Sequence, residues 1–134
     1  MIRRTLRPLA VMVLAGLAAA ACDDSPESPS FFSGQTFTGT VVRQGSSSHN
    51  FTSQQSGPLV ITVTSLAPAT TMGLGLGAPG PLGCQLTGQA AIRQGDVLQP
   101  GTDVPAGTYC LVVFDIGNVT ADATVAYSVH VFHK

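Results

Sequence analysis

The sequence predicts an all-β protein, an antiparallel jelly-roll-like β-sandwich of about eight strands. After residue 21, no stretch has the 3.6-residue periodicity of an amphipathic helix. Short runs of alternating or β-branched residues recur instead, and the chain's 15 Gly and 9 Pro residues favour tight turns between them. About eight strands in roughly a hundred residues are typical of two packed antiparallel sheets.

The clearest strand covers residues 109–115, between Gly107 and the turn-forming pair Gly117-Asn118. Neither of its alternate sets of side chains is polar, so both faces are expected to be covered, in the middle of a sheet. Further strands are predicted at residues 37–42, 49–52, 59–64, 71–77, 90–93, 96–98 and 124–133.

Two of these strands have informative patterns. In residues 124–133, every second residue from Val125 to Val131 is large and apolar, which predicts the buried face. In residues 71–77, glycine alternates with large apolar residues. One face of that strand is therefore expected in the core, and the bare glycine face against a neighbouring backbone or a crowded site.

Residues 1–21 have the features of a secretory signal peptide. Basic residues at positions 3, 4 and 7 precede 13 small or apolar residues, and Asp23-Asp24 ends the run. Such a run is too short for a stable membrane span, although an uncleaved anchor helix is the alternative. The predicted organisation is a signal peptide (1–21), a lipidated cysteine with a flexible tether (22–35) and a β-sandwich domain (36–134).

Residues 17–22, Leu-Ala-Ala-Ala-Ala-Cys, are similar to the lipobox of bacterial lipoproteins. In that family the cysteine receives a diacylglycerol, the chain is cut before it, and the new amino terminus is usually acylated, for example with palmitate. The family prefers leucine where this chain has Ala19, which leaves ordinary cleavage at an Ala-x-Ala site as an alternative. Of three cysteines, one is left over from any disulfide, and lipidation of Cys22 accounts for it. The resemblance implies a lipid-anchored protein of the bacterial cell envelope, facing the periplasm or the exterior.

The other two cysteines, Cys84 and Cys110, are expected to form a disulfide in an oxidising compartment. Two free buried thiols are the alternative. Residues 25–30, Ser-Pro-Glu-Ser-Pro-Ser, are a polar spacer of the kind that tethers a domain. The following Phe31 and Phe32 are expected to pack onto the edge of the domain.

The charge distribution excludes one class of partner. Half of the six Lys and Arg residues lie in the leader, whereas all seven acidic residues follow residue 22, so the chain after the leader has three cations and a net charge of −4. Three scattered cations cannot follow a phosphate backbone, and no nucleic-acid partner is expected.

No catalytic, cofactor or metal site is predicted. His130 and His133, three residues apart, are expected on opposite faces of one strand, and His49 is distant in sequence. Asp115 and Asn118 flank a turn, where such side chains cap their own backbone.

Five stretches follow one another in the order seen in a known family: Phe-Thr-Gly-Thr at 37–40, Gly-Pro-Leu-Val-Ile-Thr-Val at 57–63, Gly-Leu-Gly-Leu at 73–76, Gly-Thr-Tyr-Cys-Leu-Val-Val at 107–113 and Tyr-Ser-Val-His-Val at 127–131. Over residues 36–134 this succession resembles the bacterial pre-peptidase C-terminal domain, a jelly-roll-like sandwich appended to secreted enzymes. The resemblance implies an accessory module that aids binding or secretion without catalysis. Related collagen-binding modules have calcium-binding acids at the leading edge, where this chain has Ser-Gly-Gln-Thr at 33–36, so calcium is not implied.

Three functions are compatible with these features. The first is a non-catalytic module, anchored in a lipid bilayer through Cys22, that binds or scaffolds an envelope protein or polysaccharide. The second is a carbohydrate-binding module at the cell surface; the chain has no Trp, which leaves Phe132 and Phe51 as sugar platforms. The third is a small envelope hydrolase, which the missing nucleophile elbow and paired carboxylates disfavour.

Overall fold

A computed structural model describes residues 32–134, which contain eight strands. The predicted signal peptide, Cys22 and the first nine tether residues after it lie outside the described residues. No helix in this described part is long and apolar enough to cross a membrane. The strands are β1 (Ser33–Val42), β2 (Ser46–Ser53), β3 (Val60–Ala67), β4 (Met72–Gly80), β5 (Gly83–Ile92), β6 (Val97–Leu98), β7 (Gly107–Phe114) and β8 (Thr124–His133).

The strands form two four-stranded antiparallel sheets. The first sheet has the order β1-β8-β3-β6, and the second sheet has the order β2-β7-β4-β5. Each sheet thus combines strands from distant parts of the chain, in the strand order of a jelly roll. The predicted fold class is confirmed.

Aliphatic side chains from both inner faces fill the core. In β8 the alternate residues from Val125 to Val131 are at most 3% exposed, as the alternation predicted. Leu111 and Val113 of β7 are fully buried in the same core, and Cys110 on the outer face of β7 is buried as well. Because β7 lies between β2 and β4, it is the interior strand that its sequence predicted.

The glycine face of β4 is covered by its neighbours, as predicted. A β-carbon at any of the three glycines would collide with a group already present. These positions therefore require a residue without a side chain. The covering groups are the Phe114 ring over Gly73, the Leu86 side chain over Gly75 and the Gln85 carbonyl over Gly77.

Six strands, β1 to β5 and β7, extend beyond their predicted bounds at one or both ends, and the extensions of β5 and β1 are the longest. β5 starts at Gly83, seven residues before the strand predicted at 90–93, because its backbone pairs with β4 although most of its side chains stay exposed. β1 starts at Ser33, three residues before the predicted domain boundary, because residues 33–36 pair with the end of β8. Both extensions depend on backbone pairing, which polar side chains do not reveal.

Candidate binding groove between the two sheets

One side of the sandwich, where the edge strands β1 and β2 meet, is closed by aromatic rings. The Phe37 ring stacks on His49 with centroids 4.9 Å apart, and the Tyr127 ring meets the His49 ring edge-on at 5.9 Å. The Phe51 ring, the second that β2 supplies, lies 6.4 Å from the Phe37 ring and is the fourth ring of the cluster. Gly39 is the register partner of Tyr127, and its missing side chain leaves the space that the Tyr127 ring occupies.

A hydrogen-bonded row of Ser47, Tyr127 and His49 lies within this cluster. The Tyr127 hydroxyl donates to Ser47 Oγ at 2.6 Å, and His49 Nε2 lies 2.6 Å from the same hydroxyl oxygen. Since a hydroxyl has one hydrogen, His49 Nε2 is then the donor of the second bond. Burial raises the pKa of Tyr127 and lowers the pKa of His49, so both side chains are held in their neutral forms.

This row does not have the geometry of a nucleophile and its base. In a Ser–His pair the imidazole accepts the serine hydrogen directly, over one hydrogen bond. Here the Tyr127 hydroxyl lies between the two residues and donates to the Ser47 oxygen. The row therefore satisfies three polar groups at a partly buried edge, as packing requires.

The opposite side of the sandwich is open. There β6 has only two residues, and β5 presents Gly88 and Ala90 beside their register partners Leu76 and Leu74 of β4. These small residues leave a groove of about 390 Å³ between the sheets. A cavity of about 150 Å³ lined by Leu, Ile and Phe already binds benzene, so the groove has room for a larger apolar group. It is lined by Ile61, Leu74, Leu76, Thr87, Gly88, Gln89, Ala90, Leu98, Gln99 and Pro100.

None of the residues that line the groove is charged, and most of them belong to a long uncharged stretch of the chain. No Asp, Glu, Lys or Arg occurs between Arg43 and Arg93, and β7 has none either. The polar residues of the lining, Thr87, Gln89 and Gln99, carry no charge. The Thr87 hydroxyl donates to the Leu76 carbonyl, and Gln89, the register partner of Gly75, points its side chain to the outer face. Because a charge buried against Leu and Ile would have no partner, the groove suits an uncharged ligand with an apolar part.

Strand β5, which forms one wall of the groove, is uncovered on both faces and along one edge. Nine of its ten residues are exposed or half-buried, and only Ile92 is buried. β5 is an edge strand of the second sheet, so its backbone pairs with β4 alone. Natural edge strands are usually protected by charges or prolines, and β5 has neither.

The groove was not predicted from the sequence. Two signals were available, the long uncharged stretch and the small residues Gly88 and Ala90. Neither signal alone predicts an opening. The opening also depends on the two-residue length of β6 and on the position of β5 beside the groove, which only the structure gives.

The predicted disulfide is present. Cys84 of β5 and Cys110 of β7 are bonded, with Cα atoms 5.7 Å apart. Cys110 faces away from the core, so the bond ties β5 to the outer face of the second sheet. Cys22 lies outside the described residues.

The histidines of β8 lie on opposite faces, as predicted. His130 Nδ1 is 3.1 Å from Thr36 Oγ1 on the outer face, whereas His133 is buried with its ring 5.3 Å from Phe51. Among residues 32–134, no three His, Cys, Asp or Glu side chains come together in a way that could hold a metal ion.

The two aromatic residues considered as sugar platforms, Phe51 and Phe132, both pack against other side chains of the domain. Phe51 is 3% exposed and belongs to the core. Phe132 stacks on Phe32 with centroids 5.1 Å apart, and Lys134 Nζ lies 5.3 Å from the centre of the Phe32 ring. Phe32 therefore packs onto the domain as predicted, while Phe31 lies outside the described residues.

Comparison with known proteins supports the fold. No protein-family model matches the chain, and no curated protein does. Among solved structures, the chain is similar to the Yersinia pseudotuberculosis-derived mitogen, with 18% identity and a TM-score of 0.53 over 76% of this chain and 86% of the mitogen. A weaker likeness, with 13% identity and a TM-score of 0.46, covers 73% of this chain and 93% of PirA. At such identities the likeness to the mitogen shows the fold alone, and the resemblance to the pre-peptidase C-terminal domain stays a prediction.

Proposed function

We propose that this protein is a lipid-anchored lipoprotein of the bacterial cell envelope whose sandwich is a non-catalytic binding module. The observation that carries the proposal is the open groove between β5 and β6, with its apolar floor and uncharged rim. Ligand sites are typically concave and mostly apolar, with a few polar groups that fix orientation. In this proposal the groove is the binding site, and the Ser47–Tyr127–His49 row closes the other side of the sandwich.

The proposed anchor keeps this site close to a membrane. Acylated Cys22 would be joined to the described residues by the chain up to Phe31, ten residues that span at most about 35 Å when fully extended. Several acyl chains on one residue hold a protein to a bilayer stably, whereas one chain gives only marginal binding. A binding module held in this way would meet its partner at the envelope surface.

Carbohydrate binding is the second candidate function. A sugar would bind at the rim of the groove rather than on the aromatic rings of Phe51 and Phe132, which pack against other side chains. The Gln99 amide at the rim offers both donors and an acceptor for sugar hydroxyls. Hydrolysis has the weakest support, because the Tyr127 hydroxyl separates the serine and the histidine of the row.

Filling the groove tests the binding function. Gly88 borders the groove, and a β-carbon there has no atom within 4 Å, so Gly88→Leu adds an apolar side chain at the groove wall without a clash at its β-carbon. The matched control is Thr40→Leu, which adds a leucine at an exposed position of β1. Both are made in the mature chain with Cys22→Ala, so that no acyl chain binds the probe.

The measurement is a fluorescence titration with the neutral apolar dye N-phenyl-1-naphthylamine. We expect saturable binding to the parent chain and to Thr40→Leu, and roughly tenfold weaker binding to Gly88→Leu. No saturable binding, or equal binding to both variants, would contradict the proposal. Displacement of the dye by neutral oligosaccharides would select the carbohydrate candidate.

A further inference from the structure

We infer that the groove receives an extended, uncharged segment of a partner polypeptide, which pairs with β5 as an added strand and places an aliphatic side chain between the sheets. This inference rests on the proposed binding function and names the partner class of the same site. Two separate features carry it, the unpaired edge of β5 and the apolar groove beside that edge.

The edge of β5 supplies the backbone part of such a site. Residues Gly83 to Ile92 pair with β4 on one side only, so alternate N–H and C=O groups point away from the sheet. An extended peptide can pair with these groups, as in other cases of recognition by strand addition. β5 has neither the charges nor the prolines that usually protect an edge, and its one β-bulge lies opposite Leu76 and Gly77, so the residues from Gly88 to Ile92 keep a regular unpaired edge.

The groove supplies the side-chain part. Gly88 and Ala90 share the inner face of the second sheet with Leu76 and Leu74, their partners in β4. A strand added beyond β5, about 4.8 Å away, would continue this inner face over the space that the short β6 leaves open. Every second side chain of the added strand would then point toward Leu98 and the leucines of β4. Aliphatic side chains are the groups that gain most from burial there.

The chain's own segments do not fit this position. A second copy pairing through β5 would point only Gly88 and Ala90 inward, which are too small to fill about 390 Å³. The tether has three acids, at positions 23, 24 and 27, and two prolines, at positions 26 and 29. Charge and proline both oppose strand pairing beside an apolar groove. The occupant is therefore a segment of another protein.

The other edge strands each lack one of the two features. β6 borders the groove through Leu98, but its two residues offer too short an edge for an added strand. β1 ends the first sheet and carries no charged residue either. The space beside it is filled by the stack of Phe37 on His49, with Phe51 behind. Strand addition with side-chain insertion is therefore specific to β5.

The test uses synthetic peptides and the mature chain with Cys22→Ala. The parent peptide has nine residues of alternating threonine and leucine, with blocked ends and two terminal lysines for solubility. Two control peptides have the same sequence and carry N-methyl groups on alternate residues, one on the odd and the other on the even positions. Each control removes the backbone donors of one edge and leaves every side chain in place. Affinity is measured by isothermal titration calorimetry, and amide hydrogen exchange is followed in β5.

We expect one N-methylated peptide to bind roughly tenfold or more weakly than the parent, while the other binds within about threefold of it. Exchange should slow at alternate amides of β5, and Gly88→Leu should weaken parent binding while Thr40→Leu does not. Equal binding of both N-methylated peptides, or absence of peptide binding, would overturn the inference. If the neutral dye still binds the groove in that case, the proposed binding function stands; if it does not bind either, both fail. Self-association through β5, seen as a dimer by analytical ultracentrifugation, would also overturn the inference.

Discussion

The carboxylate of Asp115 accepts the backbone N–H of Gln44 at 2.9 Å, although the two residues are 71 positions apart. Its other oxygen, Oδ1, accepts three further N–H groups from residues 117–119. The carboxylate thus caps its own turn, as the sequence predicted, and also ties the β7–β8 connection to the β1–β2 turn, which it did not predict. Asn118 does not cap its own backbone, because its Nδ2 donates to the Thr71 carbonyl at 2.9 Å.

These hydrogen bonds make the stability of the fold dependent on pH. The backbone N–H of Gln44, and next that of Val119, lower the pKa of Asp115 from 3.8 to about 2. A lowered carboxyl pKa contributes stability that is complete above pH 3.8 and is lost as the pH falls toward 2. We expect Asp115→Asn to lower the thermal midpoint at neutral pH and to flatten its decline in that acid range.

Circular dichroism melts between neutral pH and pH 2 provide the measurement, with the exposed Asp103→Asn as the control. The control should follow the parent chain throughout. If Asp115→Asn shows the same acid decline as the parent, the assigned role of its carboxylate is wrong.

The glycines of the second sheet give a matched pair of predictions. A β-carbon at Gly77 would collide with the Gln85 backbone carbonyl, which cannot rotate away, whereas at Gly88 it meets nothing within 4 Å. We expect Gly77→Ala to reduce the free energy of unfolding by about 2 kcal/mol or more. Gly88→Ala should raise it by about 0.4 to 1 kcal/mol, because alanine restricts the unfolded chain. Urea denaturation measures the free energy of unfolding of both variants. Similar values for the two would contradict the close contact between Gly77 and the Gln85 carbonyl.

How far the sequence predicts this fold depends on how much of each strand is buried. The bounds of β8 match the prediction at both ends, because one complete face of that strand is in the core and alternation reports burial directly. Ser46 to Ser48 pair with β7 although they precede the strand predicted at 49–52, because serines on a half-exposed edge strand form no hydrophobic pattern.

The groove is less predictable from the sequence than the disulfide for a physical reason. Cys84 and Cys110 could be paired by counting thiols, which needs no geometry. The groove depends on the length of β6, on the small residues of β5 and on the distance between two sheets. Such a space is a property of the packed molecule, and no residue in the sequence marks it.

Removing the disulfide should destabilise the sandwich markedly. The bonded cysteines are 26 positions apart, and closing a loop of that length stabilises a fold by about 3.5 kcal/mol in the chain-entropy model. For a domain of about 100 residues, this corresponds to a thermal midpoint lower by about 15 to 25 °C in Cys84→Ala/Cys110→Ala. The parent chain treated with a reducing agent should melt near the double variant. A loss of only a few degrees in both samples would show that strand pairing holds β5 without the bond.

Lipidation of Cys22 is tested by labelling bacteria that express the chain with an alkyne fatty acid. Lipidation requires the thiol of Cys22 itself, because the two other cysteines are joined to each other. We expect label on the wild-type chain, none on Cys22→Ala, and a shift of the variant from the membrane to the soluble fraction. Ala19→Leu is the matched control, since it restores the leucine that lipoboxes prefer and should retain or increase labelling. An unlabelled wild-type chain together with a labelled Ala19→Leu variant would show that the natural signal is cleaved as an ordinary Ala-x-Ala site. The groove would then act in a secreted protein rather than at a membrane surface.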